Sequence, residues 1–328
     1  MEKKLPRVVK PWGSVDWERG ALGDLAEVVS IPATTEEALI AAVAQDVDVL
    51  LGDVVTPITR RVLESAPRLR AVFCYSTGVD YVDVAAATEL GIVVSRTPDY
   101  AGLSVAEHAI ALMLAMARNV VAADASTRQG QWHQGWAFRG VEVEGKTLGV
   151  VGFGQIAQLV GKKAAGLGMK VIAHDPYMST DRIRAGGAEP TTLQELLTRA
   201  DFVTLHVPFV PATRGLIGQA EIASMKKGAR LINCARGGVV DEGALLKALR
   251  EGHLAGAALD VFEREPAEAS NPLFELANVT VTPHIAWDTE EALRRGRAIY
   301  ASELRKVVRG ERPDYIVNPE VWERRRLG

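Results

Sequence analysis

Short apolar runs alternate with helix-like stretches from one end of this chain to the other, and that alternation leaves few folds open. RVVK (7–10), VDVLL (47–51), AVFCY (71–75) and GIVV (91–94) come first. Stretches such as TTEEALIAAVA separate them, with Thr34 or Thr35 placed to cap a helix. A long helix pattern runs from about Ser104 to Asn119, and a loop rich in Gly, Gln and Trp follows. The rhythm then restarts with TLGVVG, MKVIAHD, DFVTLHV, ARLINCA, LAGAALD and VTVTPH. Those are six candidate strands, as many as a full dinucleotide-binding sheet carries. A last helix pattern covers roughly Thr289 to Val308. Such alternation implies βαβ units and parallel sheets, hence an α/β fold. A length of 328 residues favours two such domains over one.

Composition narrows the partners. Apolar residues make up 48%, charged residues 24%, and the net charge is −3, so no nucleic-acid or membrane partner is expected. The longest apolar stretch in the helix pattern runs only from Ala109 to Ala117, too short to span a bilayer. MEKKLPRVVK lacks the apolar run of a signal peptide. The two cysteines, Cys74 and Cys234, lie far apart, as expected in a reducing cytoplasm. No Cys/His cluster has metal-ligand spacing, so no metal is expected.

One stretch carries a cofactor signal. GVVGFGQIAQ (149–158) almost spells the fingerprint G-x-G-x-x-G, with Ala157 in the third glycine's place. It follows an apolar strand, opens a helix pattern and precedes a second strand that ends in Asp175, 23 positions past Gly152. Each part has a physical task. Gly152 permits the tight turn, and Gly154 lets a pyrophosphate approach the backbone. The amides of Gln155 and Ile156 then stand at a helix N-terminus, which favours an anion. The third position serves close packing, and alanine is the next smallest side chain. Asp175 is placed to accept hydrogen bonds from ribose hydroxyls and to repel a 2′-phosphate, so NAD is expected and NADP disfavoured.

Three later segments each end a candidate strand: LINCARGGVVDE, ALDVFEREP and VTVTPHIAWDT. Ligands of open α/β sheets bind beyond the carboxyl ends of strands, so Arg236, Glu265 and His284 can share one crevice. Arginine recognises a carboxylate bidentately, histidine moves a proton near neutral pH, and a carboxylate beside it stabilises imidazolium. The trio suits hydride transfer between a 2-hydroxy acid and a 2-oxo acid. Taken singly, each is also an ordinary loop residue.

NCARGGVVDE, the Asp260–Glu265 stretch and TPHIAWDT resemble the signatures of the D-isomer-specific 2-hydroxyacid dehydrogenase family. GKTLGVVGFGQIAQ, HVPFVPATRGLIG and TPDYAGLSVAEHAIALMLAMAR resemble it too, in the same order, from about residue 45 to 318. The resemblance implies two doubly wound parallel-sheet domains, a Rossmann NAD domain at 102–288 inserted into a flavodoxin-like substrate domain at 1–101 and 289–328. It implies that Arg236 binds the substrate carboxylate, that Glu265 holds His284 and raises its pKa, and that His284 is the acid/base. It places further cofactor contacts at Gln155, Ile156, Asp175, His206, Pro208, Thr213, Cys234, Ala235 and Asp260. For His206 a packing role at a strand end is the alternative, and Cys234 reads as a buried wall rather than a nucleophile. A small 2-hydroxy or 2-oxo acid lies in the interdomain cleft in this family. Members are commonly homodimers, with the loop of Trp132 and Trp136 near the partner or packed internally. A co-repressor branch keeps the same site but recruits partner proteins, which is the alternative function.

Some positions depart from the family pattern. In YSTGVDYVD (75–83), backbone amides near Thr77, Gly78 and Val79 are expected to meet substrate, and Ser76 stands where glycine is common. Its hydroxyl either touches substrate or stabilises the turn. Arg96 stands where asparagine is common. It reads as a binder of a second anionic group or, more simply, as a surface arginine. Trp287 either walls the pocket or joins a domain interface. At this length, the appended regulatory domain of some phosphoglycerate dehydrogenases is not expected.

Overall fold

The structure, a computed structural model, describes residues 4–52, 54, 56–132 and 137–326. The chain divides into two compact units, Met1–Ala101 with Glu290–Gly328, and Gly102–Thr289.

The first unit is built on five parallel strands: β1 (Arg7–Lys10), β2 (Glu27–Ser30), β3 (Val49–Gly52), β4 (Ala71–Cys74) and β5 (Val93–Arg96). Their order is β2-β1-β3-β4-β5, the flavodoxin-like arrangement. Runs such as VLLG and AVFC are buried along their whole length, as strands covered on both faces must be. Thr35 caps the helix Glu36–Val43 by accepting from the Ala38 amide. The strand β2 is absent from the apolar runs picked out above, because Glu27 and Ser30 leave only two apolar residues between them. The helix Glu290–Arg309 belongs to this unit, since Tyr300, Leu304, Val307 and Val308 are buried with Phe73 and Val49. The Tyr300 and Phe73 rings meet edge-on at 4.9 Å.

The second unit holds β6 (Thr147–Val151), β7 (Lys170–His174), β8 (Glu189–Pro190), β9 (Phe202–Leu205), β10 (Arg230–Asn233), β11 (Gly256–Leu259) and β12 (Val279–Val281). Their order is β12-β11-β10-β9-β6-β7-β8, all parallel. This is the Rossmann order with one strand beyond the expected six. The additional strand, β8, is two residues long and contains Pro190, so nothing local marks it. Proline is tolerated because β8 lies at the sheet edge. The order reverses between β6 and β9, so the segments after those two strands lie at the topological switch point, where such sheets bind ligands.

Among the described residues no single helix is long and apolar enough to cross a membrane. Gly102–Ala117 and Val120–Arg128 pass only as a pair bent by 65°, and Ala106, Ala109, Met113 and Met116 of the first are buried in the core of the second unit.

Candidate active site

At the switch point, Gly152 has φ +80°, and a Cβ there would lie 2.7 Å from the His206 carbonyl oxygen. Backbone conformation and neighbour together require glycine. Gly154 is the N-cap of the helix Gln155–Gly166, and a Cβ on it would meet nothing within 4 Å. Open space therefore lies in front of a helix start whose first amides have no intrahelical acceptor. Ala157 is fully buried, as its packing task requires. The Asp175 carboxylate accepts from the amides of Phe153 (2.9 Å) and Tyr177 (2.9 Å), which ties the glycine loop to the end of β7. Next to it, the His174 Nδ1 pairs with the Thr191 carbonyl at 3.1 Å. The open space, the unpaired amides and the acid at the second strand suit a dinucleotide.

Beyond β9, His206 Nε2 pairs with Thr204 Oγ1 at 2.9 Å. Burial pushes the His206 pKa down to about 4, so its ring is neutral at neutral pH. Thr213 Oγ1 donates to the Pro208 carbonyl (2.5 Å) and accepts from the Val210 amide (3.0 Å), bracing the loop that carries both predicted positions. Cys234 is buried, and burial with the charge of Asp260 pushes its thiol well above the usual range. It is therefore held as a thiol and is no nucleophile.

Beyond β10, β11 and β12 lie the three residues expected to do chemistry. Arg236 is extended, and its Nη1 donates to the Ala235 carbonyl at 2.8 Å. Asn233 holds this turn, donating to the Arg236 carbonyl (2.9 Å) and accepting from the Ala235 amide (3.0 Å). Glu265 Oε1 accepts from the Phe262 amide at 2.9 Å, and Glu265 Oε2 meets His284 Nδ1 at 2.6 Å. Burial alone would raise the Glu265 pKa. The hydrogen bond and charge of His284, the Phe262 amide and the charge of Arg236 outweigh it, and the carboxyl lies below its ordinary range. Arg236, Glu265 and His284 are thus brought into one electrostatic group. With Nδ1 committed to a carboxylate, the imidazole has Nε2 left to give or take a proton.

His284 sits at φ +55°, an unusual conformation for a residue with a side chain. The fully buried Asp260 holds it there. The Asp260 carbonyl accepts from the His284 amide (2.8 Å). The carboxylate accepts from the amides of Ile285 (2.9 Å) and Ala286 (2.9 Å) and from Thr282 Oγ1 (2.5 Å). His108, from the helix Gly102–Ala117, reaches Thr282 Oγ1 at 3.0 Å. Trp287 Nε1 donates to the His284 carbonyl at 3.0 Å. His108, Thr282 and Asn233 escaped the sequence reading. No local pattern links His108 to a threonine 174 positions away.

In the first unit, the turn after β4 carries Ser76, Thr77, Gly78 and Val79. The Ser76 hydroxyl lies inside it, bonded to the Gly78 carbonyl (2.7 Å) and the Tyr81 hydroxyl (2.8 Å). Trp132 is exposed, and Trp136 lies outside the described residues. Among the described residues no group of three or more His, Cys, Asp or Glu is placed to hold a metal.

The family model described as D-isomer specific 2-hydroxyacid dehydrogenase, NAD binding domain, matches residues 110–286. D-3-phosphoglycerate dehydrogenase of Methanocaldococcus jannaschii is 46% identical over 308 residues, which are 94% of this chain and 58% of that protein. The chain therefore spans little more than half the length of that relative. Glyoxylate reductase of Korarchaeum cryptofilum is 42% identical over 280 residues, 84% of each chain. A solved structure of D-lactate dehydrogenase from Aquifex aeolicus, complexed with NAD and lactic acid, superposes with a TM-score of 0.84 at 29% identity, covering 97% of this chain and 98% of that one. All three are named as dehydrogenases or reductases. Nothing in them favours a co-repressor. The glycine loop, the carboxylate–histidine pair and these relatives agree, and the chain belongs to the D-isomer specific 2-hydroxyacid dehydrogenase family.

Proposed function

We propose that this chain is an NAD-dependent dehydrogenase that interconverts a small D-2-hydroxy acid and its 2-oxo acid. The observation that carries the reading is the 2.6 Å Glu265–His284 pair within the electrostatic reach of Arg236. Bound NAD supplies the nicotinamide carbon that accepts or gives the hydride. The backbone at Gly152, Gly154, Gln155 and Ile156 receives its pyrophosphate, and Asp175 receives ribose hydroxyls while its charge turns away the 2′-phosphate of NADP. His206, Pro208, Thr213, Cys234, Ala235 and Asp260 complete the cofactor contacts.

Arg236 pairs with the substrate carboxylate and polarises the reacting oxygen. In the first unit, the Thr77, Gly78 and Val79 amides, in a turn that Ser76 shapes, are its candidate substrate contacts. His284 gives its Nε2 proton to the 2-oxo oxygen during reduction and takes it back during oxidation. Glu265 stabilises the imidazolium and holds the ring. Met1–Ala101 with Glu290–Gly328 acts as the substrate domain. The working form is a cytoplasmic homodimer without nucleic-acid or membrane partners.

The test is NADH oxidation with glyoxylate, hydroxypyruvate and short 2-oxo acids. Turnover of about 1 per second or more on one of them is expected. Arg236→Ala and His284→Ala each remove most of it while NADH still binds. Retained turnover in either variant, or loss of NADH binding in both, refutes the assignment.

A further inference from the structure

Arg96 ends β5, at the carboxyl edge of the first unit's sheet, where such sheets place ligands. Its Nη1 donates to the Thr77 carbonyl at 2.9 Å. The guanidinium is therefore anchored on the turn whose amides we assign to the substrate. Among the described residues, the backbone amide of Arg96 donates to the Tyr315 carbonyl (3.1 Å), while its remaining guanidinium N–H groups and the amides of Thr77, Gly78 and Val79 meet no protein acceptor, and no acidic side chain pairs with Arg96. A half-buried cation left without a counter-ion, beside three free amides, is an incomplete anion site. Three consecutive amides account for one carboxylate. A planar donor edge one peptide away, carrying a full charge, calls for another anion.

We propose that Arg96 is a specificity-determining residue that receives a second anionic group, a carboxylate or a phosphate, at the far end of the 2-oxo acid. The inference rests on the dehydrogenase reading for the identity of the first group. It gives the substrate class as dianionic, and it makes Arg96 more than a surface arginine.

Two matched pairs test it: 2-oxovalerate against 2-oxoglutarate, and hydroxypyruvate against phosphohydroxypyruvate, each followed as kcat/KM with NADH. The dianionic member of at least one pair is expected to lead by about tenfold or more. The pair that shows it tells carboxylate from phosphate. Arg96→Gln keeps a donor for the turn and is expected to collapse that ratio about tenfold, with Arg96→Lys intermediate. No dianion preference in the parent protein overturns the proposal. So does an equal loss on both members in Arg96→Gln, which would leave Arg96 only bracing the turn. Absence of turnover on every 2-oxo acid defeats the dehydrogenase reading alone. Calorimetric Kd values for the same pairs then decide the role of Arg96. A dianion preference that Arg96→Gln abolishes supports it, and equal binding of both members refutes it.

Discussion

Replacing Gly237 with alanine separates catalytic geometry from cofactor chemistry. A Cβ at this position would stand 1.8 Å from the Phe262 carbonyl carbon, 2.0 Å from its oxygen and 2.4 Å from the Glu263 nitrogen. Ordinary contact begins near 3.4 Å, and every atom met is backbone, so no side chain can swing away. The two segments must part by roughly 1.5 Å. One of them begins at Arg236. The other carries the Phe262 amide, which holds Glu265 against His284. Overpacking of this kind costs about 1–3 kcal/mol, which lowers the Tm by about 2–12 °C in a unit of this size. Misplacing a reacting group by about 1 Å costs about a hundredfold in rate. Gly237→Ala is therefore expected to melt a few degrees lower and to lose about two orders of magnitude in kcat. Thermal unfolding and NADH oxidation under saturating substrate measure the two effects. Wild-type kcat with an unchanged Tm would refute the claim that direct backbone contact between these segments sets the site.

Glu265→Gln tests the acid/base pair. Reduction takes a proton from His284, and Glu265 holds the ring that gives it. Removing that carboxylate is expected to lower kcat for reduction about tenfold or more, and an unchanged kcat removes Glu265 from the mechanism. Because the folded-state pKa of Glu265 is lowered, its contribution to stability is present above the unfolded carboxyl value. It is lost as pH falls through the lowered value, and Glu265→Gln should flatten that acid limb of the melting profile. In Gly152→Ala, the left-handed backbone costs about 1–2 kcal/mol before the clash with the His206 carbonyl is counted. NADH affinity measured by fluorescence titration should drop, and an unchanged Kd would show that the loop does not hold the pyrophosphate. Asp260→Asn leaves one of the Ile285 and Ala286 amides facing a donor, at about 1–3 kcal/mol. A lower Tm with reduced kcat is expected, whereas full activity would show that the His284 conformation does not depend on Asp260.

Local order was legible in the residues. Strand, glycine turn, helix and Asp175 follow one another within a single βαβ unit, so their spacing alone singled out the glycine loop as the candidate dinucleotide site. Motif resemblance extended that to Arg236, Glu265 and His284. What the chain could not express locally was pairing across the sheet. The short edge strand β8 exists because β7 offers it partners, not because Glu189 and Pro190 favour a strand. The helix Glu290–Arg309 packs with Phe73 because its apolar stripe finds that core, and periodicity reveals a stripe without naming its partner. His108, Thr282 and Asp260 form one hydrogen-bonded group only after strand order brings the ends of β11 and β12 beside the helix Gly102–Ala117. Helix and strand periods repeat over a few residues and are written into the sequence. A hydrogen bond between residues 174 positions apart is decided by which strands lie side by side, and that depends on the packing of the whole unit.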